Sequence, residues 1–315
     1  MNKWTEERKT LVIGTRGSRL AIWQAEWVQN QLKALDPEIE ITLRRIQTSG
    51  DKILDVPLAK IGGKGLFVKE IEEALIRGEI DLAVHSMKDV PSVLPDDLEI
   101  VCVPKREDPR DALVSWEGLP LEELKKGARI GTSSLRRQAQ LLYHRRDFQI
   151  HMLRGNLDTR LRKVREGAYD AVVLAAAGLR RMGWTEEVTE YLPAHISLPA
   201  IGQGALGLEG RREDGMVKEL VASLEHGPTR IGVNAERAFL ARLEGGCQVP
   251  IAGHAVMEDD QVTLEGLIAS VDGQRYVREK ISGSKDDSER MGVELADRLL
   301  AAGGKPILEE IYGAA

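Results

Sequence analysis

The sequence predicts an α/β protein with two doubly wound lobes and a small α+β domain at the C-terminal end. Through the first two thirds of the chain, short apolar runs alternate with amphipathic helical patterns, as in proteins with parallel sheets. Within this region a strand-to-helix turn recurs with related residues. The last third carries strand patterns at residues 251–257, 262–269 and 276–281 and then a helix near 287–302, which is typical of an antiparallel sheet.

Length and composition limit the class of protein. A chain of 315 residues suits two or three domains, and 42% hydrophobic with 30% charged residues is the balance of a soluble globular protein. The formal net charge of -6 disfavours a general nucleic-acid-binding surface but leaves room for a local basic cleft. We predict a discontinuous first lobe (residues 1–104 and 200–222), a second lobe (105–199) and a C-terminal domain (223–315).

The sequence also predicts where the protein works. The N-terminal residues lack the apolar core of a signal peptide, and no stretch approaches about eighteen uninterrupted apolar residues. We therefore expect a cytoplasmic protein without a membrane partner. Its cysteines, Cys102 and Cys247, have neither the number nor the spacing of a disulfide framework or a zinc site, and no metal site is predicted.

The first predicted anion site follows the first strand. The apolar run 11–13 passes through the turn 14–18 (GTRGS) into a helix with apolar residues at helical spacing over 20–35. The free backbone N–H groups at a helix start attract anions. Arg16 and Ser18 add side-chain donors to that turn.

A second group of cations flanks the glycine-rich turn at residues 62–65 (GGKG). Lys60 precedes this turn and Lys64 lies within it, and the backbone of the turn suits carboxylates or phosphates. The spacing and the Lys-Ser/Thr ending of a Walker loop are absent. Within residues 199–209 a G-x-G-x-x-G match precedes a strand, so its context excludes a dinucleotide site and we interpret it as a hinge.

The stretch of residues 81–91 (DLAVHSMKDVP) is the predicted centre of the site. Its apolar first half is typical of a buried parallel strand, and it turns polar at the carboxyl end, where open α/β sheets bind ligands. Pro91 ends the regular structure, so either a loop presents Ser86, Lys88 and Asp89 or the segment is a plain solvated turn. Asp89 is a carboxylate among cations, suited to stabilise a cationic intermediate or to exchange a proton with a nitrogen heterocycle.

A second α/β unit repeats this arrangement. Residues 128–137 (ARIGTSSLRR) run from a strand through a hydroxyl-rich turn into a basic helix start, and the strands near 148–153 and 170–177 are followed by further arginines. Taken singly, each cation fits a surface charge, but many cations at strand ends imply a polyanionic ligand. The cations near strand ends or turns are Arg16, Lys60, Lys64, Lys88, Arg136, Arg137, Arg154, Arg160 and Arg181.

Two sequence pairs suggest that the lobes are related. The IGT run at 13–15 resembles that at 130–132, and a Gly-x-x-Asp-x-x-Val spacing occurs at 78–84 and again at 167–173. Two related lobes with anion-binding turns facing each other across a cleft explain both pairs. Chance likeness among strand–helix units is the open alternative.

The two cysteines differ in their surroundings. Cys102 falls in an apolar run and is most simply a small buried residue. Cys247 lies in a glycine-flanked segment after a long predicted helix that begins near Thr229. Such a segment suits a reactive or modified thiol, and a free thiol without a role is the alternative.

Several motifs together resemble the porphobilinogen deaminase family. They stand in the family's order over nearly the whole chain, which makes the match highly specific, and no functional position departs from the family pattern. The motifs are residues 15–21 (TRGSRLA), 62–67 (GGKGLF), 84–91 (VHSMKDVP), 131–137 (GTSSLRR), 154–160 (RGNLDTR), 203–205 (QGA) and 244–247 (EGGC).

The resemblance implies a transferase of tetrapyrrole (heme) biosynthesis, a hydroxymethylbilane synthase. Such enzymes join four porphobilinogen molecules head to tail with loss of ammonia, and hydrolysis then releases linear hydroxymethylbilane. The family fold implied is a monomer with two periplasmic-binding-protein-like lobes and a third domain that carries the cofactor cysteine.

The same resemblance implies roles for individual residues. A dipyrromethane cofactor is expected on Cys247 through a thioether, and Asp89 is the expected catalytic acid, which assists deamination and stabilises pyrrole N–H groups. The residues expected to hold the cofactor, with Asp89, are Ser86, Lys88, Thr132, Ser134, Arg136, Arg137 and Arg160. The residues expected to bind the substrate are Arg16, Ser18, Lys60, Lys64, Arg154 and Arg181.

The rival interpretation is an anion-binding protein or a ligand-sensing domain, because two-lobed folds serve both roles. A transport receptor needs an export signal and a regulator needs an attached helix-turn-helix segment, and the sequence shows neither. We therefore favour an enzyme that acts on a small molecule, without a nucleic-acid partner.

Overall fold

The computed structural model describes residues 10–52, 65–244 and 249–313. These residues form two compact units. The first contains residues 10–52, 65–107 and 205–230, and the second contains residues 108–204 and the described residues from 231 onwards. The three-domain boundaries expected from the sequence stay a prediction. No helix within the described ranges is both long and apolar enough to cross a membrane.

The regular elements of the described residues are as follows. The strands are β1 (Thr10–Thr15), β2 (Glu40–Arg45), β3 (Leu82–Ser86), β4 (Leu98–Cys102), β5 (Asp111–Ser115), β6 (Arg129–Gly131), β7 (Gln149–His151), β8 (Ala171–Ala175), β9 (Glu190–Leu192), β10 (Leu206–Arg211), β11 (Ile251–Glu258), β12 (Gln261–Ala269) and β13 (Tyr276–Ser284). The helices are α1 (Arg19–Leu35), α2 (Ser49–Lys52), α3 (Lys69–Ile76), α4 (Leu135–His144), α5 (Leu157–Arg165), α6 (Ala176–Arg181), α7 (Gly215–Val221), α8 (Gly227–Arg242), α9 (Ser288–Leu299) and α10 (Lys305–Gly313).

Two five-stranded sheets share one topology. The sheet of the first unit has the order β2-β1-β3-β10-β4, and one sheet of the second unit has the order β7-β6-β8-β5-β9. In each, the first three strands are parallel, while the fourth runs antiparallel to both of its neighbours. The strand that carries the IGT run, β1 or β6, occupies the same place in both sheets.

Helices cover both faces of each sheet. Leu11 and Ile13 of β1 pack in one core cluster with Val28 of α1, whereas Val12 packs against a second cluster that contains Ile71 of α3. Successive side chains of a strand point to opposite faces, so α1 and α3 lie on opposite sides of the sheet.

The second five-stranded sheet is covered in the same way. Val173 of β8 shares a cluster with Leu141 of α4, and Val172 shares another with Leu161 of α5. Both sheets are therefore doubly wound, as the alternation of apolar runs and helical patterns predicted.

The paired Gly-x-x-Asp-x-x-Val segments have equivalent contacts. Asp81 Oδ2 accepts a hydrogen bond from the backbone N–H of Val12 (2.9 Å), and Asp170 Oδ2 accepts one from that of Arg129 (2.7 Å). The glycine three residues before each aspartate has a positive φ, 67° and 71°. Equivalent carboxylates thus connect equivalent strands in both units, so the repeated sequence spacing corresponds to a repeated structural contact.

The remaining part of the second unit is an antiparallel sheet of order β11-β12-β13. Phe239 of α8 is fully buried beneath it, and a Cβ atom added at Gly266 of β12 would lie 2.8 Å from its ring. Leu295 of α9 completes this core. The predicted fold class, two α/β lobes and a small α+β domain, is confirmed. Elements that the sequence patterns did not predict include β5, β9, α6, α7 and α10.

Candidate active site

The carboxyl ends of β1 and β3 bring two predicted groups together. These strands are parallel neighbours, so the residues that follow them lie at the same edge of the sheet, where α/β proteins bind ligands. There a guanidinium nitrogen of Arg16 (Nη1) lies 3.6 Å from a carboxylate oxygen of Asp89. Their side chains are 22% and 27% exposed, so a ligand has access to both.

The turn that carries Asp89 is anchored at its start. It is a 3₁₀ turn, Met87–Asp89, whose methionine is buried and donates its N–H to the carbonyl of Ala205 (3.0 Å). Gly207 leaves room for that methionine, since a Cβ atom there would lie 2.8 Å from its methyl group. Ser86 Oγ is held by the side-chain amide of Gln24 (3.0 Å). Lys88 and Asp89 therefore project from a fixed turn.

Arg16 has two further partners that the sequence did not indicate. Its Nε donates to Asp51 Oδ1 (3.2 Å), and its guanidinium carbon lies 4.3 Å from the centre of the Phe67 ring. Burial alone would raise the pKa of Asp51, but the hydrogen bonds and charge of Arg16 lower it below its usual value. Arg16 is thus shared between two carboxylates, one structural and one at the strand end.

Three hydroxyl residues of the prediction serve the backbone in this structure. Ser18 caps α1 by accepting from the N–H of Ala21, and Ser134 caps α4 by accepting from the N–H of Arg137. Thr132 is buried, and its Oγ1 accepts from the N–H of Ser134 (3.1 Å). These contacts fix the helix starts that were expected to bind anions.

Arg136 and Arg137 are buried at the start of α4. Both donate to the carboxylate of Asp111, the first residue of β5, at distances down to 2.8 Å. The sequence pattern predicted the two arginines as site residues but did not indicate Asp111, because the contact joins residues about 25 positions apart. The predicted cofactor arginines therefore already share one internal carboxylate.

The other predicted site arginines of the second unit differ in whether their donors have hydrogen-bond partners. Arg160 Nε donates to the carbonyl of Gly155 (2.9 Å), and Arg181 Nη2 donates to that of Gly204 (2.7 Å). By contrast, Nε and Nη2 of Arg154 are buried and have no hydrogen-bond partner among the described residues. Burial lowers the pKa of the Arg154 guanidinium. The unpaired donors of Arg154 are therefore available to a ligand.

Three predicted site residues, Lys60, Lys64 and Cys247, lie outside the described residues, so their roles stay predictions.

A buried acid–histidine group includes His85 of β3, the strand that leads to Asp89. His85 of β3 is within 2.9 Å of Glu209 Oε2 on β10, and both side chains are buried. Glu72 of α3 interacts with both of them electrostatically. Burial, and secondarily the charge of Glu209, raise the pKa of Glu72 to about 7.

The shift at Glu72 predicts how stability depends on pH. Because the pKa is about 7 in the folded state and 4.5 in the reference state, the folded protein binds more protons between these values. The free energy of unfolding should therefore fall as pH rises from about 4.5 to about 7 and stay lower above that. The melting temperature of Glu72→Gln, whose side chain cannot ionise, should decrease less between about pH 5 and pH 8 than that of the wild type. Glu219→Gln, at an exposed position of α7, is the control and should behave like the wild type; equal slopes in all three proteins would contradict the prediction.

The fold and the site define a class of protein: two α/β lobes whose parallel strands end in cations and hydroxyls, with the carboxylate of Asp89 at one of these ends. Such an arrangement suits a small polyanion, and its carboxylate is able to transfer protons. Residues 11–219 match the family model "Porphobilinogen deaminase, dipyromethane cofactor binding domain", and residues 231–301 match "Porphobilinogen deaminase, C-terminal domain". The chain belongs to the porphobilinogen deaminase family.

Curated relatives agree with this assignment over nearly the full length. The porphobilinogen deaminase of Trichlorobacter lovleyi is 60% identical over 304 residues, covering 96% of this chain and 97% of the relative. That of Geobacter sulfurreducens is 59% identical, covering 96% and 95%. The family confirms the predicted resemblance, the transferase class and the dipyrromethane cofactor.

Among solved structures, partial similarity extends to the periplasmic aliphatic sulphonate binding protein SsuA from Escherichia coli. It has 17% sequence identity and a TM-score of 0.40, covering 76% of this chain and 71% of that one.

Proposed function

We propose that this chain is a hydroxymethylbilane synthase. It joins four porphobilinogen molecules head to tail, releases one ammonia per molecule added, and hydrolyses the product from the enzyme as hydroxymethylbilane. The observation that carries the proposal is the Asp89 carboxylate, held 3.6 Å from Arg16 at the carboxyl ends of two parallel strands in a chain of this family.

Asp89 is proposed as the catalytic acid. Loss of ammonia needs a proton on the leaving amine and leaves positive charge on the substrate. A carboxyl group at the site supplies the proton, and its carboxylate form stabilises the positive charge. Arg16, fixed by Asp51, keeps the carboxyl group oriented and is itself proposed to bind a substrate carboxylate.

The cationic residues fit the substrate's charge. Porphobilinogen carries an acetate and a propionate group, and the growing chain accumulates them. Arg154 has two buried guanidinium nitrogens without a partner among the described residues, which is the donor arrangement that a carboxylate satisfies. We propose that Arg154 and Arg181, with Ser18, Lys60 and Lys64, handle substrate and product carboxylates.

The residues also fit the dipyrromethane cofactor, whose bound pyrrole supplies the position to which substrate units are added. Ser86, Lys88, Thr132, Ser134 and the arginines Arg136, Arg137 and Arg160 are proposed to hold its polar groups. Their cations and hydroxyls match a group that carries carboxylates and pyrrole N–H donors.

We propose Cys247 as the attachment point, and the other cysteine supports this by contrast. Cys102 is fully buried at the end of β4, and burial, reinforced by Glu225, raises the pKa of its thiol far above the usual value. Because the thiolate is the reactive form of cysteine, Cys102 is unsuited to form a thioether. Cys247 is the other cysteine of the chain.

The intact mass of the purified protein tests this proposal. Wild type made in cells that supply porphobilinogen should exceed the sequence mass by about two linked pyrrole units. Cys247→Ala should lose this excess, whereas the control Cys102→Ala should keep it. An unmodified wild type would contradict the transferase proposal and favour an anion-binding protein instead. An excess that Cys247→Ala retains would place the cofactor on another residue.

The proposal includes the cellular setting expected from the sequence. The enzyme acts as a monomer in the cytoplasm on a small molecule, without a nucleic-acid or membrane partner. The net charge of -6 supports the absence of a nucleic-acid partner.

A further inference from the structure

A single carboxylate, that of Asp111, organises the start of α4. The Asp111 side chain is completely buried, and its two oxygens accept six hydrogen bonds from four side chains. Oδ1 accepts from Arg137 Nε (3.1 Å) and Nη2 (2.8 Å), from Arg136 Nη2 (3.2 Å) and from Gln203 Nε2 (2.9 Å). Oδ2 accepts from Arg136 Nη1 (2.8 Å) and Ser197 Oγ (2.7 Å).

A backbone carbonyl provides a further contact for each guanidinium. Arg137 Nη1 donates to the carbonyl of Val173 in β8 (2.9 Å), and Arg136 Nη1 donates to that of Leu198 (2.6 Å). A planar guanidinium with donors fixed at two edges has one orientation. With Asp111 in place, the two arginines therefore form one preset pair.

The pair keeps an excess of positive charge. Two guanidinium groups face one carboxylate, and all three side chains are buried. Burial alone would raise the pKa of Asp111, but the charges of Arg136 and Arg137 lower it well below its usual range, so the carboxylate stays ionised. Burial lowers the pKa of Arg136 despite the attraction of Asp111. One further anion would balance the group.

We propose that Asp111 is a positioning residue for the cofactor: it fixes the orientation of the Arg136–Arg137 pair and leaves the group with one positive charge in excess, which a cofactor carboxylate can balance. This inference rests on the proposed cofactor role of the two arginines. Asp111 itself does not contact the cofactor in this proposal, and it acts through the orientation of the arginines. The simpler alternative is that Asp111 only stabilises the fold of the second unit.

Capture of the cofactor by the apoprotein separates these two roles. Wild type and Asp111→Asn are made in cells that cannot form porphobilinogen, and porphobilinogen is then added while the gain in intact mass is followed with time. Circular dichroism gives the folded fraction, so that the capture rate is expressed per folded molecule. We expect capture by Asp111→Asn to be slower by about tenfold or more, as for the loss of a charge-assisted contact.

Asp170→Asn is the matched control. Like Asp111, Asp170 is an aspartate of the second unit that accepts from an arginine, but its arginine, Arg129, is not a predicted cofactor ligand. Asp170→Asn should lose melting temperature yet capture the cofactor at the wild-type rate. Equal capture rates for folded Asp111→Asn and wild type would overturn the inference and leave Asp111 a purely structural role.

A second variant covers the case in which Asp111→Asn does not fold. Ser197→Ala keeps the buried charges and removes one of the two donors that hold Asp111 Oδ2. Capture by Ser197→Ala should be measurably slower than in the wild type, and an unchanged rate would overturn the inference. If the wild type itself gains no mass, the proposed covalent cofactor fails first, which distinguishes that failure from a failure of Asp111.

Discussion

Asp89→Ala is expected to abolish turnover while the fold and the bound cofactor remain. The side chain is 27% exposed and lies on a turn anchored by Met87 and Ser86, so its removal should leave the melting temperature close to that of the wild type. A positioned acid contributes about 10²–10⁴-fold to a rate, so kcat for porphobilinogen consumption should fall by about 10³-fold or more when repeated proton transfers are needed. Steady-state kinetics, intact mass and thermal melting on one preparation measure all three quantities.

The matched control for Asp89 is Asp51→Asn. It removes a carboxylate from the same guanidinium, but one that holds Arg16 from the side of α2. We expect mainly a higher KM, because Arg16 loses an anchor while the acid remains. If Asp89→Ala kept more than about a tenth of kcat, the proton-transfer role would be wrong. If Asp51→Asn lowered kcat as deeply as Asp89→Ala, the orientation of Arg16 would be the limiting factor.

The sequence predicted the parts of the site that depend on local pattern. An apolar run that turns polar at one residue locates a strand end, and a parallel sheet then places such ends at one edge. That reasoning correctly placed Arg16 and Asp89 near each other and the hydroxyls of residues 132–134 at the start of α4. The paired glycine–aspartate spacings also predicted the shared topology, because each aspartate performs the same backbone contact.

The partners that fix these groups were not predictable in the same way. Asp51, Asp111 and Glu209 are acids that contact cations or a histidine 25 to 124 positions away. Nothing in a local window distinguishes them from ordinary surface acids, since burial depends on how the strands assemble. The local sequence pattern therefore predicted the cations, whereas the tertiary structure was needed to find Asp51 and Asp111, the carboxylates that orient them.

Arg154 is a further feature that the sequence pattern could not predict, because two of its donors lack an acceptor in the described part of the structure. Its Nε and Nη2 are buried without a partner among the described residues, whereas Arg136 and Arg137 both donate to Asp111. An unpaired buried donor costs about 1–3 kcal/mol of folding free energy. Sites of this kind exchange stability for binding, because the ligand supplies the missing acceptor.

Arg154→Met is therefore expected to stabilise the ligand-free protein and to impair its reaction. The methionine keeps an unbranched apolar stem and removes the unpaired donors, so the melting temperature should rise by about 2 °C or more. The substrate carboxylate loses a charge-assisted contact of about 1.5–3 kcal/mol, so KM for porphobilinogen should rise by about 10- to 100-fold. Thermal melting without substrate and steady-state kinetics measure the two effects on the same sample.

Arg129→Met is the matched control for this exchange. Arg129 is paired, with its Nε 3.2 Å from Asp170 Oδ2, so its loss should lower the melting temperature slightly and leave KM unchanged. The melting temperature should therefore change in opposite directions in the two variants, and KM should change only in Arg154→Met. Both differences have one cause: Arg129 has an internal acceptor, whereas the two buried donors of Arg154 have none in the described part of the chain. A lower melting temperature for Arg154→Met would mean that its guanidinium is satisfied within the protein, and an unchanged KM would remove Arg154 from the substrate site.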